Sequence, residues 1–114
     1  MEGIEIYESI PITDEQNIQA LDCLSEYFKL KGIDPDSVDY WDHPDDLPEN
    51  VDKAWDIIDI ANFNYLLQHE LLFGNEKDGK DYILQGSEFV EYQIPKGVQK
   101  WMSEHEKTKK KGNN

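Results

Sequence analysis

Between Asp34 and Asp59 the chain carries ten carboxylates and a single lysine, Lys53. The acids are Asp34, Asp36, Asp39, Asp42, Asp45, Asp46, Glu49, Asp52, Asp56 and Asp59. Like charges this close repel, and native helices usually dilute them with lysines three or four residues away. That dilution is nearly absent here. Either a partner supplies the positive charge, or the chain tolerates a strained, salt-sensitive surface; the first is the expectation adopted here.

The rest of the charge is uneven. The formal net charge is −14, yet residues 96–114 hold six lysines against Glu104 and Glu106. Residues 1–95 hold 23 acids against five lysines. Such a body repels nucleic acid and anionic membrane and is drawn to basic protein surfaces. All eleven cations are lysine, which disfavours phosphate reading through guanidinium forks. Cys23 is the single cysteine, so an intramolecular disulfide and a cysteine-based zinc site are both excluded. The first ten residues, MEGIEIYESI, lack the basic and apolar regions of a signal peptide. No apolar stretch approaches the ~20 residues that span a bilayer, so a cytoplasmic location is expected.

The 114 residues fit one domain with a self-sufficient core. Ile4 to Ile10 reads as a short strand ended by Pro11. Thr13 and Gln16 form a capping box, and a helix is expected from Asp14 to about Leu30. Ile18, Leu21, Leu24 and Phe28 give its apolar stripe, widened by Ala20 and Tyr27, with Gly32 as its C′ residue. Residues 34–48, with Pro35, Pro44 and Pro48, predict an irregular connection pinned by Trp41. A second, central helix is expected from Pro48 or Glu49 to about Phe73, stopped by Gly74. Asp81–Gln85 and Glu88–Ile94 predict a hairpin across Gly86-Ser87 with a type II′ turn. A last helix runs from Lys96 to about Glu106, and 107–114 reads as a disordered lysine-rich tail. The expected domain, 1–106, is therefore α+β, a small and mostly antiparallel sheet packed against two main helices. Its order is β-α-(acidic loop)-α-β-β-α.

Asp52, Asp56 and Asp59 fall at i, i+4 and i+7, one face of the second helix. This face is expected to point away from Trp55 and Ile58, and to continue through Glu49, Asp46, Asp45 and Asp42 as an acidic ridge. Three carboxylates over about 10 Å of helix are too dilute to copy a duplex, which carries a charge every ~1.7 Å. Mimicry of nucleic acid needs the 34–46 carboxylates alongside, or a second copy in a homodimer. Tyr40-Trp41 sits inside the acidic loop, a reasonable aromatic anchor for a basic partner.

Motifs of chemistry are weak. Asp34-Pro35-Asp36 opens like a calcium loop, but the sixth position lacks glycine and Val38 occupies a ligand slot. His69-Glu70 opens like a zinc helix, but Phe73 replaces the second histidine. His69 is expected partly buried, Cys23 inert and His43 a bystander among acids. No metal or other cofactor is expected. The composition is shared by toxin immunity proteins and phage-borne inhibitors of host defence nucleases, as a likeness of style without shared motifs.

The expectation is a non-enzymatic acidic protein that engages, and thereby inhibits, a basic protein such as a nuclease. It binds neither nucleic acid nor membrane directly. The surface is Asp39, Tyr40, Trp41, Asp42, Asp45, Asp46, Glu49, Asp52, Asp56 and Asp59. The alternative is a small structural or regulatory adaptor whose acidity serves only solubility.

Overall fold

The computed structural model describes residues 4–113, and their side chains as far as residue 105. The tail expected at 107–114 falls outside the described side chains. Among the described residues the fold is α+β. Strand β1 (Ile4–Ile6) leads to helix α1 (Asp14–Leu30), then to a single 3-10 turn at Pro35–Ser37. Helix α2 (Glu49–His69) follows, then strands β2 (Leu72–Asn75), β3 (Lys80–Gln85) and β4 (Glu88–Tyr92), then helix α3 (Lys96–Asn113). The strands form one antiparallel sheet in the order β1-β2-β3-β4.

Local signals set the boundaries. The Thr13 side chain accepts from the Gln16 backbone N–H, and the Gln16 side chain accepts from that of Thr13, which closes the capping box. At the other end of α1, Gly32 at φ +75° lets Ile33 N–H reach the Phe28 carbonyl at 2.9 Å. Gly86 at φ +65° opens the two-residue turn between β3 and β4, and Ser87 keeps a negative φ. That combination is the type II′ turn.

Two expectations fail. The second helix stops at His69, and Leu72–Asn75 is a strand where helix was expected to continue. Leu72 is buried either way, but as a strand residue it sits opposite Ile83, while Phe73 and Gly74 give the short β1 a partner in Ile6 and Glu5. Tyr7 lies so close over Gly74 that an added Cβ would meet its hydroxyl at 2.8 Å. The face of α1 is also rotated. Its buried residues are Ala20 and Leu24, whereas Ile18 is 57 % and Leu21 40 % exposed. The small Ala20 shares a core cluster with Ala54, and two alanines allow a closer helix approach than the Ile18-Leu21 face would.

Helix α2 is the hub. Its first half, Val51 to Ile58, packs with Ala20 and Leu24 of α1, while Ile60 and Phe63 pack with Leu72, Ile83, Ile94 and Val98. Asn64 on α2 clasps the backbone of Ile10 through both its N–H and its carbonyl at 2.8 Å, fixing the chain between β1 and α1. At the start of α3 the backbones of two helices nearly touch. A Cβ on Gly97 would lie 2.5 Å from the backbone Cα and O of Asp56. Gly97→Ala is therefore expected to force α3 off α2 and to cost roughly 2–3 kcal/mol, read as a lowered urea midpoint. An unchanged midpoint would show that the two helices separate freely there.

Candidate functional site

The segment from Val38 to Pro48 is irregular but firmly attached. The Tyr40 carbonyl accepts from Trp55 Nε1 at 3.3 Å and from Asn62 Nδ2 at 3.2 Å. The Tyr40 hydroxyl donates to the Pro35 carbonyl at 3.1 Å, and its ring packs on Trp55 with centroids 5.5 Å apart. Tyr40 thus tethers the loop rather than standing out as an anchor. Three residues on, His43 enters the body of the protein, its side chain only 4 % exposed and stacked on Trp55 at 5.7 Å.

His43 meets the aspartates of α2. Its Nδ1 lies 2.6 Å from Asp59 Oδ2 and its Nε2 lies 2.7 Å from Asp52 Oδ1. Asp56 Oδ1 is 3.9 Å from Nδ1. From α3, the Gly97 backbone N–H donates to Asp59 Oδ2 at 2.9 Å, an otherwise orphaned amide in the first turn of a helix. The Lys100 ammonium donates to Asp52 Oδ2 at 2.8 Å and to Asp56 Oδ2 at 3.0 Å. The face expected to be an unneutralised ridge is therefore turned inward. The Asp59 side chain is 1 % exposed, Asp56 17 % and Asp52 29 %.

The spacing explains the reversal. Positions i, i+4 and i+7 do share a helix face, but Trp55 lies three residues after Asp52 and four before Asp59, so these aspartates border the buried Trp55 side of α2 rather than opposing it. Two of the covering groups are basic side chains, His43 16 residues before Asp59 and Lys100 41 after it. The stripe itself was the signal: Lys53, the lysine of that helix, pairs with Glu49, so the three aspartates require basic partners from elsewhere, and His43 and Lys100 were available. His43 is central to the cluster, not a bystander.

An imidazole donates from both nitrogens only when protonated, so the two short contacts hold either the imidazolium or a proton on a facing carboxyl. Burial pushes the Asp59 carboxyl above the ordinary carboxylate range, and the hydrogen bonds from His43 and Gly97 only partly oppose this. The hydrogen bonds from Lys100 and His43 hold Asp52 below that range. Asp52 in turn helps raise Lys100 above the ordinary lysine value.

The other expected site residues lie outside this cluster. Asp39, Asp42, Asp45, Asp46 and Glu49 are exposed. Asp45 is paired with Lys96, and Glu49 with Lys53 at 3.4 Å; exposed pairs of this kind contribute little. Trp41 is 53 % exposed with its ring edge-on to Tyr65, itself 55 % exposed, at 6.3 Å. Helical spacing puts Tyr65 in the apolar stripe of the second helix with Val51, Trp55 and Ile58, but the structure leaves it exposed and brings Trp41 against it. His69, expected partly buried, is exposed and packs on the same Tyr65 at 4.4 Å. Away from this region, a cleft of about 530 Å³ between the sheet and α3 is lined by Tyr7, Asp81, Tyr92 and Gln99. Burial pushes the Tyr92 phenol up to about 12.

No family model, no curated protein and no solved structure matches this chain, so what the site does rests on its own residues. No helix among the described residues is long and apolar enough to cross a membrane.

Removing His43 leaves the buried Asp59 carboxyl without its 2.6 Å imidazole partner. His43→Ala is expected to cost about 3–5 kcal/mol. Lys100→Gln breaks a partly exposed pair and is expected to cost about 1 kcal/mol. The depressed Asp52 carboxyl stabilises the fold above its unfolded value of about 3.9, and this is lost as pH falls through its lower folded value. The penalty of Lys100→Gln in urea titrations should therefore be full at pH 7 and fade below about pH 4. Asp59 has the opposite sign: its raised carboxyl favours the fold at acid pH and ceases to as pH rises through its folded value.

Proposed function

We propose that this chain is a non-enzymatic binding protein for a basic protein surface, with the acidic loop as its contact. The observation that supports the reading is Trp41. A large aromatic is half exposed in a loop otherwise fixed by Tyr40 and His43, and the exposed carboxylates of Asp39, Asp42 and Asp46 surround it in sequence. A surface that served only solubility needs neither the aromatic nor the fixed backbone. Holding the loop in one conformation lowers the entropy lost on association. Tryptophan and tyrosine are frequent energetic centres of interfaces, and a rim of carboxylates steers a cationic partner.

Relative to the ten-residue surface read from sequence, Asp52, Asp56 and Asp59 contribute by holding the loop, with their charge largely met inside. Asp39, Trp41, Asp42, Asp45, Asp46 and Glu49 form the outward part. The finer form of the proposal is that the partner handles nucleic acid, as a nuclease does, and is inhibited when the acidic loop covers its basic channel. With the helix stripe turned inward, capture of a basic patch fits the charge better than a copy of a duplex. A second reading, a structural or regulatory adaptor, is favoured by that same inward turn, because it takes three charges off the surface.

The two readings separate by kinetics against a partner recovered by affinity capture at low salt. Association should slow steeply as ionic strength rises past about 0.1 M, where the screening length is about 10 Å. Replacing Asp39, Asp42 and Asp46 with Asn should slow association without loss of melting temperature. Trp41→Ala should speed dissociation by at least about tenfold, a hot-spot effect above 1.4 kcal/mol. Rates indifferent to salt and to both variants would sink the proposal in favour of the adaptor.

A further inference from the structure

Two carboxylate oxygens of the buried cluster, Asp56 Oδ1 and Asp59 Oδ1, are shielded from solvent and have no hydrogen-bond partner. An unsatisfied buried carboxylate oxygen is costly, and both belong to side chains that converge on His43. Three of these groups have the spacing of a ligand set. One ring nitrogen of His43 and one oxygen each from Asp52 and Asp56 lie within 4.8 Å of one another. Tetrahedral ligands with bonds of about 2.0–2.1 Å stand roughly 3.3 Å apart, so small side-chain rotations would seat one ion among them.

We propose that the His43, Asp52 and Asp56 side chains form a site for a divalent transition-metal cation of the zinc class. Nitrogen beside oxygen ligands suits zinc and its neighbours better than magnesium or calcium, which favour all-oxygen shells. The outer atoms are already arranged for it. Lys100 holds Oδ2 of both Asp52 and Asp56, which leaves Asp56 Oδ1 for the ion, and Asp52 Oδ1 once its 2.7 Å contact with His43 Nε2 opens to admit it. Asp59 Oδ2 accepts from His43 Nδ1, the carboxylate–histidine contact that orients metal-bound imidazoles and fixes their tautomer. Gly97 N–H in turn holds Asp59.

Charge supports the exchange. With one proton held between His43 and its facing carboxylates, and the Lys100 ammonium beside them, the three aspartates leave one net negative charge in a largely buried place. When the ion binds, the Nε2 proton leaves to solvent, and a divalent ion with neutral His43 brings the cluster to zero. The route inward runs past Asp52 and Asp56, the two ligands that keep some exposure.

The test is calorimetric titration of Zn²⁺ into the full chain near pH 7, with Trp55 emission recorded because His43 stacks on that ring. One equivalent should bind, with proton release and a change in emission. Asp56→Asn, nearly isosteric, should weaken binding at least about tenfold, and Asp59→Asn by a similar factor through the orientation of His43. Far-UV circular dichroism identifies any variant that fails to fold. Glu26→Gln, on the exposed side of α1, should bind as the parent does. Co²⁺ in place of Zn²⁺ should give a visible ligand-field band that Asp56→Asn abolishes. No stoichiometric binding, or equal binding by the parent and a folded Asp56→Asn chain, would overturn the site and leave a cluster held by protons alone.

Discussion

The contact between His43 and Asp59 carries more of this structure than its two residues suggest. Asp59 is fully buried on the hub helix, and a buried carboxylate is tolerated only with excellent partners. Those partners come from both sides of the chain: the loop before α2 supplies His43, and the first turn of α3 supplies Gly97 N–H. One side chain therefore fixes the path of an irregular loop and the docking of a helix. The glycine is part of the same requirement, because only without a Cβ can the α3 amide come down onto the α2 backbone.

A hydrophobic residue at position 59 would remove the desolvation cost and could stabilise the fold. What it would not do is determine where His43, and with it the loop, must sit. Apart from His43, residues 38–48 bury little: Val38, Tyr40 and Leu47 pack only partly against the α1–α2 cluster. Apolar contacts tolerate sliding, whereas an imidazole with a carboxylate at each nitrogen has one satisfied position. Placement of Trp41 on the surface, edge-on to Tyr65, follows from that interior restraint and from the two side-chain N–H groups held by the Tyr40 carbonyl.

Much of the fold was legible because its signals are local. The Thr13/Gln16 box, the Gly32 stop, the start of α2 at Glu49 and the Gly86-Ser87 turn each need only a few neighbouring residues. The failures share a different cause. Whether Leu72–Asn75 is helix or strand depends on β1, some 70 residues earlier in the chain, and on β3. Which face of α1 is buried depends on Ala54 as much as on α1 itself. The cluster was hidden for the same reason, since His43, Asp59, Gly97 and Lys100 come from a loop and two helices. Helical periodicity reported that the aspartates share a face; it did not report what lay opposite.

The uneven charge of the sequence then takes on a second meaning. The acidic segment and the lysines near the C-terminus partly serve one another: Lys96 pairs with Asp45, and Lys100 bridges Asp52 and Asp56. Helix α3 is thus an internal example of a cationic surface that this acidic segment accepts, and it occupies the half of the segment nearest α2. An outside partner meets what α3 leaves open, the exposed carboxylates of Asp34, Asp36, Asp39, Asp42 and Asp46 on either side of Trp41 in the chain. Its affinity has to come from shape and the aromatic contact as well as from charge, because Asp45, Asp52, Asp56 and Asp59 are already engaged within the protein.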